Sequence, residues 1–154
     1  MSAEIDQLAF RFFKLFAQCE YALKAIGCGR ATNADAAEAD WDRFANEVGA
    51  LLLSDQDPEI VAARTYLFEN PPKRQVWTSG GVAWAAVPNN ERSAQILLSH
   101  IRRVRNNLYH GGKFNGRWID PDRSAELISK SLLLLEYLVN ADARLLEAIH
   151  GNTA

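Results

Sequence analysis

Residues 5–26 read "IDQLAFRFFKLFAQCEYALKAI". Ile5, Ala9, Phe12, Phe16, Cys19, Leu23 and Ile26 recur in alternating steps of four and three residues. That period lines all of them along one face of a long amphipathic helix, which must bury its apolar stripe against a core. "GCGR" at 27–30 ends the helix, with Gly27 or Gly29 supplying a left-handed cap.

The helical period continues outward along the chain. A second helix is expected to start among Thr32, Asn33 and Asp35, all good N-cap types, and to carry Trp41, Phe44, Val48, Leu51 and Leu52 inward. A short helix follows from Asp57-Pro58-Glu59 and is stopped near Glu69 by Asn70-Pro71-Pro72. Residues 70–90, "NPPKRQVWTSGGVAWAAVPNN", are irregular. "QVW" and "VAWAAV" around "SGG" point to a small hairpin, with Trp77 and Trp84 pinning the segment to the bundle.

The next helix is expected from Asn89 or Asn90, with Ala94, Leu97, Leu98, Ile101, Val104 and Leu108 as its inner stripe and Gly111-Gly112 as its stop. A final helix restarts at "DPDRSAEL", capped by Asp120 or Asp122. It carries one stripe through Ile128, Leu132, Leu135, Val139, Leu146 and Ile149 and a second through Leu127, Leu134, Leu138 and Leu145. A helix apolar on two sides is covered by several neighbours or by a partner chain. Asp142 interrupts the first stripe, so that face is wet or polar-paired there. The expected fold is all-α, a bundle of four long helices plus a short helix, in a single domain over residues 1–154.

The bulk properties exclude several classes. The 154 residues suffice for one ordinary domain, and 48% hydrophobic with 23% charged residues is a globular balance. A net charge of −2 gives no global basic field, so any anion binding must be local. Cys19 and Cys28, if on one helix, are roughly 13 Å apart by helix rise, too far for a disulfide. They read as reduced thiols of a cytoplasmic protein, without a zinc cluster around them. "MSAEIDQLAF" has no basic segment of a signal peptide, and the apolar run "LLLL" is far too short to span a membrane.

Residues 100–114, "HIRRVRNNLYHGGKF", are the local exception in charge. Arg105 follows Ile101 by one helical repeat, beside the inner stripe, whereas Arg102 and Arg103 point more toward solvent. A desolvated guanidinium needs an anionic partner or a polar cleft. Asn106 and His110, four apart, share a face at the end of the helix, where the dipole favours positive charge. Histidine is the usual general acid or base near neutral pH. Arg105 suits a phosphate in a bidentate fork, Lys113 adds a point charge, and Gly111-Gly112 would let a phosphodiester approach the backbone. Five helical residues rotate by about 140° and rise roughly 7.5 Å, so Arg105 and His110 do not stack on one ideal helix. They converge if the helix loosens at Tyr109, if Arg105 reaches down its stem, or if a second chain completes the site.

No Walker loop, dinucleotide fingerprint, metal-ligand cluster or Ser-His-Asp spacing is visible. A His/Arg site of this kind suits a substrate that carries its own nucleophile, as RNA does in its 2′-hydroxyl.

"RNNLYH", Arg105 to His110, resembles the Arg-x4–6-His motif of the HEPN superfamily, with Asn106 as the polar residue after the arginine. "RNNLYHGGKF" as a whole is similar to the version in small stand-alone prokaryotic HEPN proteins, and its place before a long last helix also fits. The resemblance implies a helical bundle that dimerises and joins two motifs in one cleft. It implies an endoribonuclease that needs no metal or other cofactor and leaves a 2′,3′-cyclic phosphate. Toxins with a cognate antitoxin protein and antiviral effectors are its usual settings. Carried onto this chain, Arg105, His110 and Asn106 are catalytic, and Lys113, Arg102 and Tyr109 are candidate RNA-binding residues. Glu20, beside the first helix's stripe, is a further candidate, with pairing to an arginine as its structural alternative. The alternative function is a non-catalytic HEPN-type module that binds a nucleotide or RNA or serves as an interaction scaffold.

Overall fold

The stripe of residues 5–26 folds as α1 (Ser2–Ala25) in the computed structural model, which describes residues 2–151. Ile5, Phe12, Phe16, Cys19 and Leu23 are buried, and Ala9 and Ile26 pack at the edge of the core. Gly27, at φ +87°, closes the helix in the left-handed region that only glycine enters freely. Cys28 therefore lies beyond α1, and both thiols are buried and free. Burial, reinforced by the Glu20 charge, pushes the Cys19 thiol up to about 12.

The second helix starts later than expected. Residues 29–39 form a two-stranded antiparallel hairpin, β1 (Gly29–Ala31) and β2 (Ala37–Ala39). Residues that cap helices also build turns. Here the Thr32 hydroxyl accepts from the Ala34 and Ala36 N–H groups, and Asp35 takes φ +60°. α2 (Trp41–Ser54) is capped instead by Asp40, whose carboxylate accepts from the Arg43 N–H at 3.0 Å. Its Trp41, Phe44, Val48 and Leu52 are buried, whereas Leu51, a 100° step off that stripe, is 46% exposed.

α3 (Pro58–Glu69) begins as expected, with Asp57 capping the Glu59 and Ile60 N–H groups. The expected hairpin between the tryptophans forms as β3 (Arg74–Thr78) and β4 (Gly81–Ala85). α4 (Ala94–Tyr109) is capped by Ser93 rather than Asn89 or Asn90. Asn90 is used elsewhere: it donates to the Phe68 carbonyl at 2.7 Å and accepts from the buried His100 Nε2 at 2.8 Å. All six residues of the expected α4 stripe are buried.

The last helix is two helices, α5 (Pro121–Ala141) and α6 (Ala143–Ile149). Asp142 breaks them apart by capping α6 through the Arg144 N–H at 3.0 Å and pairing with the Arg144 guanidinium. The chain is thus mainly helical, as expected, but not an all-α bundle of four long helices plus a short one. Six helices and two small antiparallel sheets make it up among the described residues.

α1 packs on α5 and α6, α2 on α4, and α3 on α5. α5 thereby sits among several neighbours, and Leu127, Ile128, Leu134, Leu135 and Leu138 are all buried within the chain. Its two apolar stripes are covered internally and leave no face for a partner. The open aromatic face lies on α1 instead, where Phe10 is 69% and Tyr21 60% exposed, with Phe13 between them. This face borders the C-terminal half of α4, which carries the basic motif.

Candidate functional site

α4 holds its regular period to the end. The His110 N–H bonds the Asn106 carbonyl at 2.9 Å, the ordinary helical spacing, so the helix does not loosen at Tyr109. Gly111 follows at φ +81°, and the Gly112 N–H reaches back to the Asn107 carbonyl at 3.0 Å. This is the left-handed closure that satisfies carbonyls at a helix end. His110 is the last half-helical residue and is exposed, its ring edge-on to Tyr109 at 5.0 Å between centroids.

Arg105 leaves α4 toward α1. Its guanidinium lies over the Phe16 ring, 4.8 Å from the centroid, and 3.9 Å from Glu20 Oε1. The second distance is an ion pair but too long for a hydrogen bond. Nε is buried without a partner, and among the described residues the Arg105 side chain makes no hydrogen bond. Glu20 is better satisfied, since it accepts from the Trp41 indole N–H at 3.0 Å. Glu20 thus pairs with the motif arginine, which is its structural alternative.

Phe13, Phe16, Ala17, Glu20, Tyr21, Lys24 and Arg105 line an open groove of roughly 260 Å³. Tyr109 stacks on Phe13 with centroids 6.1 Å apart and planes 16° from parallel, so it extends the groove wall toward His110. His110 itself is not among the lining residues. A single chain therefore presents Arg105 and His110 at the two ends of one aromatic wall, not on one shared partner. Arg105 does not reach down its stem either, because Phe16 and Glu20 hold it toward α1.

The remaining sequence candidates fall elsewhere. Asn106 is exposed beside His110. Its neighbour Asn107 is buried and donates to the Lys73 carbonyl at 2.9 Å, which ties the β3–β4 hairpin to α4. Lys113 lies on the hairpin side, with Nζ 4.9 Å over the Trp84 ring. Burial, then the charges of Arg123 and Lys73, hold its ammonium below the usual lysine range, against the opposing Asp120. Arg102 is half-buried beside Arg103, whose Nε is buried without a partner, so Arg103 is not simply solvated.

Gly112 does not offer open backbone to a phosphate. A Cβ there would sit 2.6 Å from the Trp84 ring, so the indole already occupies that approach. Trp84 does pin the hairpin, but Trp77 is 81% exposed and pins nothing. Sequence reading missed Phe16 as the bed for Arg105, because a stripe residue reads only as core. It missed the clamp between Trp84 and Gly112 because the partners lie on separate elements.

Among the described residues no helix is long and apolar enough to cross a membrane, and no group of three or more His, Cys, Asp or Glu is placed to hold a metal ion. No protein-family model matches the chain, and no curated protein or solved structure does either.

Proposed function

We propose that this protein is a metal-independent endoribonuclease of the HEPN kind, acting as a homodimer in the setting of a toxin or defence effector. The observation that carries the reading is Arg105, a half-buried guanidinium with no hydrogen-bond partner, at the rim of an open groove. A guanidinium offers five donors in a rigid fork suited to phosphate oxygens. Exposed His110, with Asn106 beside it, supplies a group able to take and return a proton.

In this reading His110 removes the proton from an RNA 2′-hydroxyl. The 2′-oxygen bonds to the adjacent phosphorus while the bond from phosphorus to the 5′-oxygen breaks. Arg105 stabilises the charge that builds on the equatorial oxygens. The departing 5′-oxygen takes a proton from the equivalent histidine of a second copy, which leaves a 2′,3′-cyclic phosphate and a 5′-hydroxyl. A second copy seated on the aromatic face of Phe10, Phe13 and Tyr109 would place its motif across the same wall. That arrangement supplies the convergence one chain lacks.

Incubation of the pure protein with mixed RNA in EDTA tests the reading. Cleavage by wild type, with loss in His110→Ala and Arg105→Ala, is the expected result. His110 is exposed, so its substitution should leave stability within about 1 kcal/mol. No cleavage by folded, dimeric wild type refutes the enzyme and leaves a binding module. Cleavage by both variants at the wild-type rate refutes the site.

A further inference from the structure

The β3–β4 hairpin has a face that the fold covers at Trp84 and leaves open at Trp77 and Val82. Its register pairs Trp77 with Val82 and Gln75 with Trp84. Opposed residues of an antiparallel pair share a face, so both indoles and Val82 lie on the same side, a diagonal step apart. Half-buried Val76, Ala83 and Ala85 alternate onto the other side. Trp77 is 81% exposed and Val82 57%. Trp84 is partly covered by its contact with Gly112, and Lys113 sits over its ring.

Positive charge lies at the Trp84 end of this face, where Lys73, Lys113 and Arg123 meet, and a second group, Arg74 with Arg102 and Arg103, lies on the hairpin's other side. Lys73, Arg74, Arg102, Arg103, Lys113 and Arg123 form no ion pair among the described residues. A groove of roughly 200 Å³ runs beside Trp84 between Lys73 and Lys113, with Asp120 as its acid. Arg103 is held below its usual range by burial and then by Arg74 and Arg102, with no carboxylate opposing them. Lys73, Lys113 and Arg123 outnumber the one acid beside them, Asp120, and in a chain of net charge −2 this local excess makes a site for a polyanion. Flat, exposed indoles within that charge favour a polyanion that also carries unpaired planar bases.

We infer that the Trp77–Trp84 face of the hairpin is a single-stranded RNA platform: a base stacks on Trp77 while the phosphate backbone follows Lys73 and Lys113. The choice of RNA over other polynucleotides rests on the ribonuclease reading. The platform adjoins the end of the motif, because Trp84 rests on Gly112, two residues beyond His110. Stacking accepts any base and phosphate contacts carry no sequence information, so the platform binds unpaired RNA with little sequence preference.

The test is fluorescence anisotropy of a labelled, fully 2′-O-methylated single strand, which has no free 2′-hydroxyl and so separates binding from cleavage. Trp77→Ala should weaken binding about 5- to 150-fold, and Trp77→Phe should restore most of it. Lys73→Gln should lower the slope of log affinity against log salt by about 0.7. A duplex of the same length should compete poorly, since its bases are already stacked. Wild-type affinity in Trp77→Ala overturns the inference, and so does a duplex that competes as well as the single strand. Concentration-dependent burial of Trp77 in the RNA-free protein also overturns it, as that would make the face a protein interface.

The two readings fail separately. Wild type that binds the methylated strand through Trp77 but leaves unmodified RNA intact in EDTA removes the ribonuclease and keeps the platform. Wild type that cleaves, with Trp77→Ala binding and cleaving equally well, removes the platform and keeps the ribonuclease.

Discussion

Gly112 offers a direct test of how the hairpin is held against the motif. A Cβ added there would lie 2.6 Å and 3.0 Å from two atoms of the Trp84 ring and 3.2 Å from the Asn107 carbonyl oxygen. The shortest of these is nearly 1 Å inside the optimal separation of about 3.5 Å between carbon atoms. Overpacking in rigid surroundings costs about 1–3 kcal/mol. Trp84 is 39% exposed and sits on a two-stranded hairpin, so the ring can yield, and Gly112→Ala should fall near the lower end, about 1 kcal/mol. No left-handed strain adds to this, since among neighbouring residues only Gly111 has positive φ. The assay is a double-mutant cycle by urea unfolding with Trp84→Ala. With the indole gone its two close contacts vanish and the Asn107 oxygen at 3.2 Å remains, while the gain from a stiffer unfolded chain, about 0.4–1 kcal/mol, acts in both backgrounds and cancels in the cycle. Gly112→Ala should then cost about 1 kcal/mol less than it does beside Trp84, and that difference is the coupling. Gly111→Ala should cost about 1–2 kcal/mol in both backgrounds, because its left-handed strain is its own. Equal cost of Gly112→Ala with and without Trp84 would refute the steric reasoning.

Two further outcomes are expected. Phe13→Asp puts a charge at the centre of the open aromatic face of α1, so it should give a monomer in light scattering and abolish RNA cleavage while the circular dichroism stays helical. A variant that remains dimeric would move the interface elsewhere. His100 is buried, with Nε2–H donated to Asn90 Oδ1 and Nδ1 without a partner; burial, then the Arg103 charge, push its imidazole down to about 4. The unfolded chain takes up this proton near pH 6.5 and the folded chain only near 4, so stability is full above 6.5 and is lost as pH falls through that window. The loss should reach roughly 3 kcal/mol in wild type and disappear in His100→Gln, read by urea unfolding at a series of pH values. An unchanged slope in the variant would assign the acid sensitivity to other groups.

The long helices were legible because each carries a continuous apolar stripe. All six stripe residues of α4 are buried, as are both stripes of α5 up to Val139. The misplacements share one cause. Thr32, Asn33, Asp35, Asn89 and Asn90 all favour helix starts, yet the same short polar side chains also close turns and bind loop backbone. Thr32 and Asp35 build the β1–β2 turn, and Asn90 ties residue 68 to His100. Local sequence cannot choose between these uses, because the choice is made by partners in other elements. Asp142 shows the same limit: the broken stripe marked a polar site, but only the Arg144 pairing reveals a helix break.

The motif itself divides along the same line. Within Arg105–Gly112 the fold accounts for Leu108, which is core, and for Asn107, which holds the Lys73 carbonyl. It accounts for Gly111 through its left-handed φ and for Gly112 through the Trp84 ring. The Gly pair, which suggested room for a phosphodiester, is therefore structural. Arg105, Asn106, Tyr109 and His110 remain. Asn106, Tyr109 and His110 are exposed, and Arg105 leaves its hydrogen-bonding capacity unused beside Glu20. The Phe16 ring and the Glu20 carboxylate 3.9 Å away offset part of the cost of desolvating this guanidinium, but neither supplies the hydrogen bonds it can donate. The cost is recovered if an anion binds there. Of the four, only Arg105 carries a desolvation cost that the fold leaves partly unmet, so the proposed ribonuclease function rests on it more than on the basic charge around it.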